Sequence, residues 1–129
     1  MPVEIQDLVC TVALLLIIIV VQTLLAILQW GMPKTLGNRD NVPALTGLGA
    51  RAQRCEDNQV VSLAMFAPLV LATVVLKQTD HFSALGSMIY LYARVAYTAC
   101  YLIGIPVLRT VCWAASIVGL VYVAYSLYV

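Results

Sequence analysis

The second long apolar stretch of this chain opens with polar side chains whose types and spacing could bind an anion. Arg54 and Asn58 lie about 40° apart on a helix, and Arg51 lies about 60° from Arg54, so the three share one side. Guanidinium groups bind carboxylates and phosphates through paired hydrogen bonds, and an amide adds further donors and an acceptor. The pattern therefore predicts an anion-binding surface where this helix begins.

The next apolar stretch carries a matching stripe of aromatic and charged side chains. Tyr90, Arg94, Tyr97 and Tyr101 are spaced i, i+4, i+7 and i+11, and helical geometry places them within about 60° of one another. An arginine inside a membrane-spanning helix indicates a functional site by default. Phenols donate hydrogen bonds to anions, and Arg109 adds a cation at the start of the last helix. Together these residues suit a ligand that has an anionic group and an apolar body.

A purely structural interpretation of the same residues is also open. Arg94 could pair with Glu56 or Asp57, and tyrosines near a membrane interface commonly form aromatic belts. Arg51 and Arg54 could contact lipid headgroups and set the topology of the chain. The sequence offers no Ser-His-Asp set, Cys-His pair or carboxylate dyad that would act as a nucleophile or as an acid–base couple.

The sequence predicts no metal site. Its four cysteines are scattered without a C-x-x-C pair, and three of them lie in apolar segments, where a cysteine usually behaves as a small hydrophobic residue. His81 is the only histidine, and it stands in a short polar turn without a neighbouring cysteine or histidine. A solvent-facing role is the expectation for it.

Composition identifies the chain as an integral membrane protein. Hydrophobic residues make up 63% of its 129 residues and charged residues 10%, against averages of about 45–50% and about 25% in soluble domains. The lipid bilayer is therefore the expected surrounding of most of the chain. Because the sequence has no basic run, glycine-rich phosphate loop or basic–aromatic stripe, it argues against nucleic-acid binding.

Four apolar segments predict an all-α membrane protein, an up-down bundle of four transmembrane helices. The length allows one domain, over residues 1–129. The first two helices are separated by a loop, residues 31–50, that is rich in glycine and proline, and the other connections are short. The four helices are expected at about residues 8–30, 48–77, 83–103 and 106–128.

The distribution of charge predicts how this multi-pass bundle is oriented. Lysine and arginine favour the cytoplasmic side of a membrane, and they are concentrated in the loop and at the start of the second helix. Loop 31–50 is therefore expected in the cytoplasm, with both termini on the non-cytoplasmic side. In a bacterium the membrane would be the inner membrane. The positive side carries Lys34, Arg39, Arg51 and Arg54, and the other side carries Glu4, Asp7, Lys77 and Asp80.

Two segments of the chain contain motifs that point to a family. The first is Arg54-x-x-x-Asn58, with Phe66 eight residues further on. The second is Ala93-Arg-Val-Ala-Tyr-Thr-Ala-Cys-Tyr-Leu-Ile-Gly-Ile-Pro-Val-Leu-Arg109. Both resemble MAPEG, the membrane-associated proteins in eicosanoid and glutathione metabolism, and the second is similar to the third-helix signature of the bacterial branch. Length, helix count and loop layout are also similar, so the resemblance covers nearly the whole chain.

This resemblance implies a homotrimer that binds glutathione between neighbouring protomers near the cytoplasmic face. The implied activity is that of a glutathione-dependent transferase or peroxidase acting on lipophilic small-molecule electrophiles. Arg109 matches an arginine that assists the thiolate, which makes it the expected catalytic residue, and Arg94 is included from the helical stripe as a cofactor-binding residue. The residues that the resemblance assigns to the glutathione site are Arg54, Asn58, Tyr97 and Tyr101.

Two positions depart from the pattern of the family members that use glutathione. Val61 stands where a glutamate usually follows the asparagine by three residues, and Glu56 replaces a common glutamine. The first change removes a charge partner for the amino end of the tripeptide, and the second introduces repulsion of its glycine carboxylate. Losing a charged hydrogen bond costs about 1.5–3 kcal/mol, roughly ten- to a hundredfold in affinity. These departures favour an alternative function, as a non-catalytic scaffold or accessory subunit of a larger membrane complex.

Overall fold

The part of the chain that the structure describes folds into a bundle of four long helices and one short helix. The computed structural model describes residues 1–40 and 42–128, and within these ranges it contains no β-strand. Consecutive long helices are antiparallel, which gives the up-down bundle. The helices are α1 (Val3–Trp30), α2 (Met32–Leu36), α3 (Gly47–Val75), α4 (His81–Ile103) and α5 (Pro106–Ser126).

Three of the long helices, α1, α3 and α5, are long and apolar enough to cross a membrane. The fourth, α4, has 23 residues and is therefore about 34 Å long, against a hydrocarbon core of about 30 Å. It differs from the others because it carries Arg94 together with a row of tyrosine and serine side chains. The predicted fold class, an all-α membrane bundle, is confirmed.

The first helix begins earlier than the sequence predicts, at Val3 rather than near residue 8. Its first two turns carry Glu4 and Asp7, which are unfavourable in an apolar helix but are both buried here. Ser83 Oγ of α4 donates a hydrogen bond to a carboxylate oxygen of Glu4, and Ser87 Oγ donates to Asp7 Oδ2 at 2.7 Å. These contacts stabilise a helix start that hydropathy does not indicate. The other long helices begin and end within about two residues of their predicted bounds.

Replacing Ser87 with alanine should destabilise the bundle by about 1–3 kcal/mol, because the buried carboxylate of Asp7 loses a hydrogen-bond donor. The midpoint of thermal unfolding in detergent measures the effect. Ser126→Ala is the matched control, since Ser126 is also buried and, among the described residues, donates only to Val123 O of its own helix, at 2.6 Å. Equal midpoints for the two variants would contradict a stabilising contact between α1 and α4.

Helices α4 and α5 approach each other closely where two glycines meet. A Cβ atom at Gly86 would lie 2.7 Å from Gly119 O. A Cβ atom at Gly119 would lie 2.7 Å from Gly86 O and 2.8 Å from Tyr90 N. Small residues commonly allow such close contact between the backbones of membrane helices. The contact sets the position of α4, which carries the predicted polar stripe, relative to α5.

An apolar core lies next to this glycine contact. Tyr90 stacks on Phe66 with ring centroids 3.9 Å apart, and its hydroxyl shares a hydrogen bond of 2.8 Å with Ser62 Oγ. The first residue of the predicted stripe therefore belongs to the core of the bundle. The buried members of this core are Phe66, Val70, Tyr90, Leu120 and Val123.

The connection from α1 to α3 is held against the end of α1. Gln29 Nε2 donates to Thr46 O at 2.8 Å, and Thr46 N donates back to Gln29 Oε1 at 3.0 Å. Trp30 Nε1 donates to Pro43 O at 2.8 Å, and the guanidinium carbon of Arg39 lies 5.4 Å from the centroid of the Trp30 ring. The start of α3 is thus held close to the end of α1. The loop also contains the five-residue helix α2, which the sequence does not predict.

Candidate functional site

The turn between α4 and α5 brings Arg109 back to the aromatic residues of α4. Gly104 ends α4 in a left-handed conformation with a φ of 91°, which glycine adopts without strain. Pro106 then occupies the first turn of α5, where the missing N–H leaves no hydrogen bond unmade. Arg109 consequently lies beside Tyr101, with its guanidinium carbon 4.6 Å from the centroid of that ring.

Four of the predicted residues form one continuous stack, which we call the arginine–tyrosine ladder: Arg94, Tyr97, Tyr101 and Arg109. The guanidinium carbon of Arg94 lies 4.4 Å from the centroid of the Tyr97 ring. Tyr97 and Tyr101 meet edge to face with centroids 5.5 Å apart, and Arg109 covers the far end. A cation over an aromatic face at such a distance gains roughly 0.5–2 kcal/mol. The ladder therefore holds two phenols between two cations.

Arg94 is fully buried and connects three helices. Its Nε donates to Gln59 Oε1 at 2.9 Å, and its Nη2 donates to Asn58 Oδ1 at 2.7 Å and to Asn58 O at 3.4 Å. Its Nη1 donates to Ser116 Oγ at 3.5 Å. The guanidinium thus joins α3, α4 and α5 at one point inside the bundle.

The hydrogen-bond partners of Arg94 are all uncharged in the part of the chain that the structure describes. The structural interpretation that pairs Arg94 with Glu56 or Asp57 is therefore wrong. Rotation along α3 explains the difference, because successive residues are about 100° apart and only some of them face α4. Asn58 and Gln59 face it, whereas Asp57 is exposed and Glu56 is half-buried.

Helix α3 divides the predicted anion-binding surface between two environments. Asn58 is half-buried and accepts a hydrogen bond from Arg94, whereas Arg54 is exposed one turn earlier. Among the described residues, Arg54 makes no hydrogen bond to the ladder. The structure therefore brings Asn58 to the ladder and leaves Arg54 on the outer surface of the bundle. Val61, one of the two positions that depart from the family pattern, is 63% exposed.

Two polar residues that contact the ladder, Gln59 and Ser116, are not among the predicted site residues. Gln59 and Ser116 both bind Arg94 and are fully buried. Arg51 is half-buried, and its Nε lies 3.8 Å from the position of a Cβ on Gly104 and has no partner among the described residues. Helical spacing already placed Arg51 on the anion-binding surface. Gln59 and Ser116 stand out as polar residues near or within apolar runs, but that signal does not show what they bind.

An apolar groove of about 390 Å³ runs between α1 and α4. Apart from a thiol and one phenol, hydrocarbon side chains line it. The phenol belongs to Tyr92, which is 66% exposed on the surface of α4. The groove is therefore suited to an apolar molecule that arrives from the lipid. The lining includes Cys10, Ala13, Ile17, Leu91, Tyr92 and Val95.

Within the described residues, no group of three or more histidine, cysteine, aspartate or glutamate side chains could hold a metal ion. The four cysteines are free thiols. His81 lies exposed in the first turn of α4.

Comparison with known proteins places the chain in a family. A model of the MAPEG family matches residues 8–129, which include both motifs described above. The match covers α3, α4 and α5 and all but the first turns of α1. No curated protein and no solved structure gives a significant match. The chain belongs to the MAPEG family.

Proposed function

We propose that this membrane protein is a glutathione-dependent transferase or peroxidase that acts on lipophilic electrophiles. The observation that carries the proposal is the arginine–tyrosine ladder, with Asn58 attached to one end and Arg109 covering the other. Glutathione supplies a thiol, and the thiolate is its nucleophilic form. Cations next to a thiol favour ionisation, and Arg109, which is half-buried at the end of the ladder, is such a cation.

The donor groups near the ladder fit the carboxylates of the tripeptide. Arg54 is exposed, and Arg51 has an Nε without a partner among the described residues, so both retain donors for a carboxylate. Arg109 is half-buried against Tyr101 and is suited to stabilise a thiolate. The amino end of the tripeptide fits less well, because Val61 offers it only methyl groups.

The proposal places the glutathione site at the boundary between protomers of a homotrimer. Arg54 is exposed on a single protomer, as a residue at such a boundary would be, whereas Tyr97 and Tyr101 are buried behind it. Arg94 is a positioning residue in this arrangement. Its hydrogen bond orients the Asn58 amide, and its guanidinium supports the ring of Tyr97.

The lipophilic acceptor would approach through the membrane, and the apolar groove between α1 and α4 is a route for it. We also propose that loop 31–50 and the α4–α5 turn face the cytoplasm, with both termini on the other side. The excess of lysine and arginine on the loop side supports this orientation. In a bacterial cell the membrane would be the inner one.

A second function, as a non-catalytic accessory subunit of a larger membrane complex, is favoured by Val61 and Glu56. Val61 leaves an ammonium group without a carboxylate, and Glu56 adds a negative charge to the helix that carries Arg54. Both changes weaken a site for a zwitterionic tripeptide. Co-purification of the protein with a stable larger complex, in the absence of any binding of glutathione, would favour this second function.

Replacing Arg109 with alanine should lower the fraction of bound glutathione that is thiolate at neutral pH by roughly ten- to a hundredfold. The reason is the loss of a charged hydrogen bond worth about 1.5–3 kcal/mol. Ultraviolet absorbance of the thiolate, in protein titrated with glutathione, measures the effect. Arg39→Ala is the matched control, because Arg39 also stacks on an aromatic ring but lies in the loop, with its guanidinium carbon 5.4 Å from the Trp30 ring centroid.

Three outcomes of this titration are distinct. Thiolate absorbance in the wild type and in Arg39→Ala, lost in Arg109→Ala, supports the transferase or peroxidase. Binding of glutathione without thiolate absorbance would assign the ladder a binding role and contradict the catalytic one. An absence of binding at millimolar glutathione would overturn the proposal.

A further inference from the structure

Buried hydrogen-bond donors outnumber acceptors around Arg94 and Gln59. Gln59 is fully buried, and its Oε1 accepts a hydrogen bond from Arg94 Nε at 2.9 Å. Its Nε2 carries two hydrogens but has no partner among the described residues. A buried amide without a partner costs about 1–3 kcal/mol, so native structures rarely leave one. An acceptor is therefore expected at this position.

The guanidinium of Arg94 adds to the surplus of donors. Its Nη1 carries two hydrogens, and its described acceptor is Ser116 Oγ at 3.5 Å, the longest of the four contacts made by Arg94. The hydroxyl of Ser116 meanwhile donates to Trp113 O at 2.6 Å, within its own helix. Nη1 thus has a spare donor. Nε2 of Gln59 belongs to the same amide that accepts from Arg94, so the spare donors of both residues lie close together.

The charge of Arg94 indicates which kind of acceptor would suit these donors. A buried guanidinium without a counter-ion costs several kcal/mol, and the described partners of Arg94 are amides, a hydroxyl and an aromatic ring. Two other acidic side chains, Glu4 and Asp7, bind Ser83 and Ser87 near the N-terminal end of α4 and therefore lie away from Arg94. A water molecule would satisfy the donors but leave the charge uncompensated. An anion would do both.

We propose that Arg94 and Gln59 form an internal binding site for a small monovalent anion of the halide class, where α3, α4 and α5 meet. Arg94 and Gln59 are both fully buried inside the bundle. The donors proposed for glutathione, Arg54 and Arg109, are exposed and half-buried, so the two sites are distinct. The occupant of the internal site needs neither a thiol nor a peptide. Binding of the anion compensates the charge of Arg94 and so stabilises the junction of the three helices.

A chloride titration tests the proposal on the purified protein. The protein is transferred to sodium gluconate, and sodium chloride replaces it at constant ionic strength while the midpoint of thermal unfolding is followed. The expected result is a saturable rise in the midpoint. Gln59→Leu removes the unpartnered amide donor and should weaken the apparent chloride affinity about tenfold or more. Gln22→Leu is the matched control, since Gln22 is 5% exposed in α1 and should leave the response unchanged.

The titration overturns the proposal if the midpoint shows no saturable dependence on chloride, or if Gln59→Leu responds as the wild type does. A non-specific salt effect would appear equally in both variants. If Gln59→Leu does not fold, wild-type crystals grown in sodium bromide decide the question. An anomalous bromide peak within hydrogen-bond distance of Arg94 supports the site, and a water molecule alone at that position overturns it.

Discussion

Replacing Gly119 with leucine should prevent the chain from folding into a stable bundle, and replacing it with alanine should lower the midpoint of thermal unfolding by several degrees. Even the single methyl group of alanine would lie 2.7 Å from Gly86 O and 2.8 Å from Tyr90 N. Both neighbours are backbone atoms, so neither can rotate away. Overpacking of this kind typically costs about 1–3 kcal/mol for small insertions and more for large ones.

The measurement is the yield of monodisperse protein in detergent for Gly119→Leu, and the unfolding midpoint for Gly119→Ala. Ala114→Leu is the matched control, because Ala114 lies exposed on the same helix. The control should behave like the wild type. If Gly119→Ala unfolds at the wild-type midpoint, the close approach of α4 and α5 is not required for stability. Gly119→Leu should disturb the ladder as well, because the α4–α5 contact positions Tyr101 against Arg109.

Replacing Arg94 with alanine should destabilise the protein by about 2–6 kcal/mol, the largest effect expected for a single arginine in this chain. The change leaves a cavity. It also removes the hydrogen bonds that Arg94 donates to Gln59 Oε1 and Asn58 Oδ1. A leftover buried acceptor costs about 1–3 kcal/mol, and here two of them share one site. Thermal unfolding in detergent measures the loss.

Arg54→Ala is the control variant for this prediction. Arg54 is exposed on α3, so its removal should change the free energy of unfolding by less than about 0.5 kcal/mol while it weakens the binding of glutathione. The two arginines are thus predicted to separate stability from ligand binding. A pair of variants that lose stability equally would contradict the inward role assigned to Arg94.

The sequence predicted the fold and the importance of Arg94 for the same physical reason. A membrane helix is read from hydropathy, and an arginine within it must be paired or solvated, so both features are visible without a structure. The partners of Arg94 were not visible. They depend on which residue of α3 faces α4, and a step of one residue rotates the helix by about 100°. Asn58 and Gln59 fill that position rather than Glu56 or Asp57.

Contacts between distant parts of the chain account for the rest of the difference. Glu4 and Asp7 are unfavourable for a membrane helix when counted alone, and they become part of α1 because Ser83 and Ser87 bind them. Tyr90 shares the helical face of Arg94, yet it packs in the core against Phe66. The stripe of aromatic and charged residues on α4 extends one turn beyond the ladder, and Tyr90 lies in that extra turn. Spacing along one helix predicts which residues share a side, and tertiary packing decides what each part of that side meets.

The paired hydrogen bonds between Gln29 and Thr46 make the length of the first loop largely irrelevant to the position of α3. The segment between these residues is a closed loop, and doubling the length of such a loop costs only about 0.6 kcal/mol. An epitope tag inserted between Gly37 and Asn38, just after α2 ends, should therefore leave the helices that carry the ladder undisturbed. Accessibility of that tag to an antibody from one side of sealed vesicles would report directly which side of the membrane the loop occupies.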